Sequence, residues 1–71
     1  MKIKPEYEDI VIEGSRAFED ELNFADNPYS DNSNNFLWSI GWMFAEARSI
    51  DDVEYTKNVE SLYKAFVKPE G

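Results

Sequence analysis

The chain has 71 residues and a mass of 8.3 kDa, a size at which folding hides only about 60% of the unfolded surface, so it can build one domain with one small core. It holds no histidine and no cysteine, which excludes disulfide staples, thiolate nucleophiles, zinc fingers and every imidazole acid, base or ligand. Fifteen acids against seven bases leave a formal charge of −8, which argues against direct RNA or DNA binding and against an anionic membrane surface.

Aromatic residues make up 15% of the chain, more than a disordered acidic tail carries. There is no apolar run of the ~20 residues a membrane span needs and no hydrophobic leader stretch, so a cytoplasmic location without a membrane partner is expected. Asp26-Asn27 and Asp31-Asn32-Ser33 offer oxygens, but the spacing of a calcium loop is missing. No metal and no cofactor are expected. Nor is an enzyme, since no nucleophile or phosphate-cradling glycine loop accompanies the carboxylates.

In chain order, a first helix is predicted over about 5–24. Tyr7, Ile10, Gly14, Ala17, Phe18 and Leu22 fall within a sector roughly 140° wide at 100° per residue, which is an amphipathic stripe. Pro5 suits the first turn, and Glu6, Glu8 and Asp9 sit where the helix dipole favours negative charge. Glu21 lies inside the apolar sector: either the helix ends before it, a cation pairs with it, or it marks an interaction edge. Residues 25–33, rich in Asn, Asp and Ser around Pro28, read as an ordered polar linker. Asn27 is expected to satisfy backbone amides there.

A second helix is predicted over about 34–48, capped by Ser33 or Asn34. Trp38, Trp42 and Ala45 form one apolar face; Leu37, Ile40, Phe44 and Ala47 form another, with Gly41 between them. A helix apolar nearly all round is central. Ser49-Ile50-Asp51-Asp52 resembles a capping box, opening a third helix over about 51–67 that Pro69 ends. The expected fold is all-α, a single domain over 1–71 with helix 2 central.

Glu13-Gly14-x-x-Ala17, Asn27-Pro28-Tyr29 and Trp38-x-x-Gly41-Trp42-x-x-Ala45 together resemble the ribosome modulation factor family, with the spacings kept over about 33 residues. The resemblance implies a two-helix core over 13–45 with an ordered linker, and the segment 49–68 is then an added C-terminal helix. It also implies a non-enzymatic protein that acts on ribosomes, as the founding member does by binding small-subunit RNA, blocking the messenger path and promoting inactive dimers.

The same residues have a physical reading. Gly14 and Gly41 each cost about 1 kcal/mol inside a helix, so they are expected where helices 1 and 2 cross. Gly14, Pro28, Trp38, Gly41, Trp42 and Ala45 are assigned to the structural core. Tyr29 is expected to pin the linker back onto the tryptophan face.

The charge departs from the family, whose RNA-binding members have a basic first helix. Residues 1–33 hold nine acids against three bases, and residues 34–71 hold six against four. Reversing the sign of helix 1 removes the phosphate-neutralising term that drives RNA binding. The founding member also has polar or small residues where Leu37, Ile40 and Phe44 stand, a change that a third packed helix would require. Glu6, Asp9, Glu13 and Asp20 share one helix face, and with Arg16 and Tyr29 they are the candidate partner-binding residues. They point to a basic protein surface or a ribosome component. The alternative is an acidic inhibitor, phage-encoded for example, whose carboxylate row imitates a nucleic-acid backbone and fills a basic groove of a host protein.

Overall fold

The computed structural model describes residues 5–66, with side chains from Tyr7 onward. Lys68 and Pro69, the expected end of the third helix, lie outside the described residues. Three helices make up the fold: α1 (Pro5–Glu19), α2 (Asn32–Ser49) and α3 (Val53–Phe66), with a short 3-10 turn at Phe24–Asp26. No strand occurs among the described residues. The all-α architecture is as expected, with α2 central and packed by α1 and α3.

Helix α1 is shorter than its apolar period suggests, and the reason is local. The Leu22 N–H donates to the Ala17 carbonyl and the Glu21 N–H to the Phe18 carbonyl, each at 2.9 Å, while Glu21 takes φ 66°. This pair of bonds around a left-handed residue is a Schellman turn, which satisfies the last carbonyls and reverses the chain. Glu21 is therefore the residue after the helix end, exposed, and not a charge within the apolar stripe. Helix α2 closes in the same way: Asp52 N–H donates to the Ala47 carbonyl, Asp51 N–H to the Arg48 carbonyl, and Asp51 has φ 56°.

Both later helix starts also differ from expectation. Asp31 caps α2 in place of Ser33 or Asn34, its carboxylate accepting the Asn34 N–H at 3.0 Å. Asp52 caps α3, accepting the Tyr55 N–H at 3.0 Å. Ser49 belongs to α2, so the capping box read from Ser49 does not form. Carboxylates win these positions because an ionised acceptor at a helix N-terminus gains from the dipole as well as from the bond.

The glycines decide how closely α1 and α2 approach. A Cβ on Gly14 would lie 2.9 Å from the Trp38 carbonyl carbon, and one on Gly41 would lie 2.7 Å from that of Val11. Both helices meet backbone to backbone, so each needs a residue without a side chain at the crossing. Around that crossing Leu37, Trp38, Ile40, Ala45 and Ala47 of α2 are buried with Ala17 of α1 and Val59 of α3. Ring contacts between Tyr7 and Phe66 (centroids 5.6 Å) and between Phe36 and Phe66 (5.1 Å) join all three helices at one end.

Candidate functional site

The acid row of α1 borders an open groove of about 610 Å³ between that helix and the 22–28 segment. Asp9, Glu13 and Asp20 line it with Arg16, and Asp26 and Pro28 complete the opposite rim. Its apolar lining is Ile12, Ala17, Leu22 and Trp38. Ile12 and Leu22 remain 47% and 40% exposed. The structure thus brings Asp9, Glu13, Arg16 and Asp20 to one surface. Glu6 belongs to α1 by its backbone, but its side chain lies outside the described residues.

Asn27 fixes the far wall. Its Oδ1 accepts the Tyr29 N–H at 3.0 Å, which is the Asx turn expected of this position. Its Nδ2 donates to the Asn35 carbonyl at 2.9 Å and to Ser39 Oγ at 3.2 Å, tying the linker to α2. Asn35 Nδ2 returns a bond to the Tyr29 carbonyl at 2.9 Å. Asp26 accepts the Asn23 N–H at 2.8 Å and so tightens the 3-10 turn.

Tyr29 pins the linker at a place other than the expected tryptophan face. Its hydroxyl donates to Glu13 Oε1 at 2.6 Å, tethering the linker to α1. The hydrogen bond to Glu13 is the main reason the hydroxyl titrates above its usual 10.0, followed by burial and the nearby charges of Glu13 and Asp31. Two residues assigned to partner binding are therefore engaged with each other.

Of the residues assigned to the core, Gly14, Trp38, Gly41 and Ala45 are buried. Pro28 is not: it is exposed on the groove rim. Trp42 is half-buried, set edge-on between Phe18 (centroids 5.1 Å) and Phe24 (5.4 Å). Its Nε1–H donates to the Leu22 carbonyl at 3.0 Å. The Schellman turn presents that carbonyl, so the indole locks the end of α1. Sequence reasoning missed Ile12 and Leu22 as surface groups; the available signal was an isoleucine next to the acid row and outside the apolar stripe.

The groove is anionic at its rim and apolar within. It presents four carboxylates and one guanidinium around an apolar lining. Among the described residues, no three acids converge closely enough to hold a metal ion. None of the described helices is long and apolar enough to cross a membrane. Comparison of the chain with protein-family models, with curated proteins and with solved structures returned no match.

Proposed function

We propose that this chain is a small non-enzymatic regulatory protein on a ribosome modulation factor-like scaffold, acting by binding a basic surface of a ribosome-associated partner. The observation that carries this reading is the separation of roles along one helix. Gly14 of α1 meets the backbone of α2, while Asp9, Glu13 and Asp20 line an open groove. The glycine-to-glycine crossing and the tryptophans between 13 and 45 support the scaffold. The acid row supports a basic partner in place of RNA, because phosphate contacts need the opposite sign.

Co-sedimentation with 30S subunits at low and moderate salt tests the assignment. Retention in the pellet at low salt, lost on charge reversal at Asp9 and Asp20, is the expected result. A protein that stays in the supernatant under all conditions refutes it.

A second reading is favoured by the length of the row. From Asp9 to Asp20, eleven residues at 1.5 Å rise give about 16.5 Å of carboxylates on one face. This suits an inhibitor, phage-encoded for example, that occupies a host protein's basic nucleic-acid groove. A lysate pulldown that returns a DNA- or RNA-binding enzyme, with nucleic acid competing for it, favours the inhibitor; one that returns only ribosomal material removes it.

A further inference from the structure

We propose that the groove between α1 and the linker is a docking site for one kind of partner element, a basic amphipathic helix that seats an apolar side chain between Ile12 and Leu22. The inference rests on the basic-partner reading above and names the form that partner takes.

Two independent properties of the groove meet here. The first is apolar surface: Ile12 and Leu22 are 47% and 40% exposed although both are large aliphatic groups, and they lie in one concavity with Ala17 and the edge of Trp38. A concave apolar patch rimmed by polar residues is where a partner's anchor side chain gains most from leaving water. The second is charge. Asp9 and Asp20 line the same groove, and their side chains accept no hydrogen bond from the described residues. An anchor flanked by cations therefore complements both lining and rim. A purely apolar helix would leave the carboxylates facing it, and an anionic strand would be repelled by them.

The spacing of the acids selects a helix over an extended segment. Asp9 and Glu13 of α1 and Asp20, which follows its last residue, are separated along the helix axis by about 6 and 10.5 Å. Cations at i, i+4 and i+11 of a second helix laid beside α1 reproduce both intervals. A strand presents like-facing side chains every ~6.6 Å, which meets the first interval and misses the second. The volume of about 610 Å³ accommodates a few side chains, not a whole chain, as expected where one face of a helix is recognised.

The test is fluorescence anisotropy of a labelled alanine-based helical peptide with lysines at i, i+4 and i+11 and two leucines on the facing side. Saturable binding is expected, weakening as salt rises. Asp9→Asn and Asp20→Asn should each raise Kd about two- to five-fold, and Ile12→Ser about ten-fold. All three side chains are exposed, so thermal unfolding of Asp9→Asn and Ile12→Ser should match the parent, and Asp20→Asn, which removes a charge from the helix C-terminus, should unfold no earlier. Replacing the peptide's leucines by serine should remove most of the affinity, and a scrambled peptide of equal charge should bind far more weakly.

Equal binding of the scrambled peptide, tighter binding of a single-stranded RNA, or absence of saturation at millimolar peptide overturns the proposal. The two levels separate cleanly. If the Asp9→Asn, Asp20→Asn, Ile12→Ser triple variant still sediments with 30S subunits as the parent does, the groove proposal falls and the ribosomal reading stands. If the parent binds the peptide and never sediments, the groove stands and the ribosomal reading falls.

Discussion

Replacing Gly41 by alanine sets two effects of opposite sign against each other. In a helix interior the change alone stabilises by about 1 kcal/mol, because alanine loses less backbone freedom on folding. In this fold the new methyl would lie 2.7 Å from the Val11 carbonyl carbon and 3.0 Å from the Ser15 nitrogen, where ordinary contact starts at 3.4 Å. Its nearest obstacle is the Val11 carbonyl oxygen, a backbone atom that no rotamer change can move. Helices α1 and α2 must therefore separate by roughly an ångström, loosening Trp38 and Ala17 against each other. Overpacking in a core costs about 1–3 kcal/mol, and relief through backbone alone puts this site at the upper end. After the propensity gain, a net loss of about 2 kcal/mol remains. For a domain of this size that lowers Tm by roughly 8–16 °C, easily read from thermal unfolding followed by circular dichroism. Gly14→Ala meets the Trp38 backbone and should behave alike. The double variant should cost less than the sum, since helices already parted by one methyl make room for the other. A Gly41→Ala protein as stable as the parent, or more so, would refute backbone contact as the reason for glycine here.

Truncating the two tryptophans should rank them. Trp38→Ala, at 1% exposure, should cost about 3–5 kcal/mol and leave the domain largely unfolded, whereas Trp42→Phe should lose about 1 kcal/mol with its bond to the Leu22 carbonyl. Urea titration gives both, and the reverse order would contradict the packing. Asn27→Ala removes three hydrogen bonds and should cost about 2 kcal/mol, with proteolysis within 23–31 as a second readout. Asn27→Asp keeps only the acceptor for Tyr29 and should fall between the two. The alkaline limb of stability should carry a tyrosine signature. Burial, followed by the 2.7 Å bond to Glu46, pushes Tyr55 up to about 12 from 10.0. A raised pKa means the unfolded chain loses this proton first. The contribution is thus complete below pH 10 and disappears as pH rises towards 12. With the hydroxyl partly screened by solvent it amounts to about 1 kcal/mol. Tyr29 and Tyr63, also raised, act in the same sense, so Tyr55→Phe should flatten the limb without abolishing it.

The parts of the fold that follow from periodicity were legible. Three helices and the central place of α2 come from apolar spacing, and the Gly14–Gly41 crossing follows from the cost of a helical glycine without some other use. Helix ends were not, because they depend on which of several adjacent oxygens reaches an amide. Ser33, Asn34 and Asp31 are all acceptable caps, and the ionised Asp31, whose charge also meets the helix dipole, takes the position. Glu21 misled for a related reason: its position on a helical wheel means nothing once the backbone turns left-handed there. At the site, the acid row was visible as a stripe, but the groove beside it was not. Its second wall depends on Asn27 holding residues 22–28 against α2, and that distance is not encoded in any local pattern.

Helices α1 and α2 both place acids at the negative pole of their own dipoles: Glu19, Asp20 and Glu21 beyond Arg16 in one case, Asp51 beyond Arg48 in the other. Each such charge opposes its helix by about 0.3–1 kcal/mol when unscreened. The folded chain is thus electrostatically at odds with itself where the groove meets the end of α1. Anything cationic that settles there relieves the opposition, so on the proposed reading folding and capture of a basic partner are linked equilibria. The free protein should melt at a higher temperature as ionic strength rises, while its complex should melt at a lower one. That crossing of the two salt dependences would make a simple melting curve a reporter of occupancy.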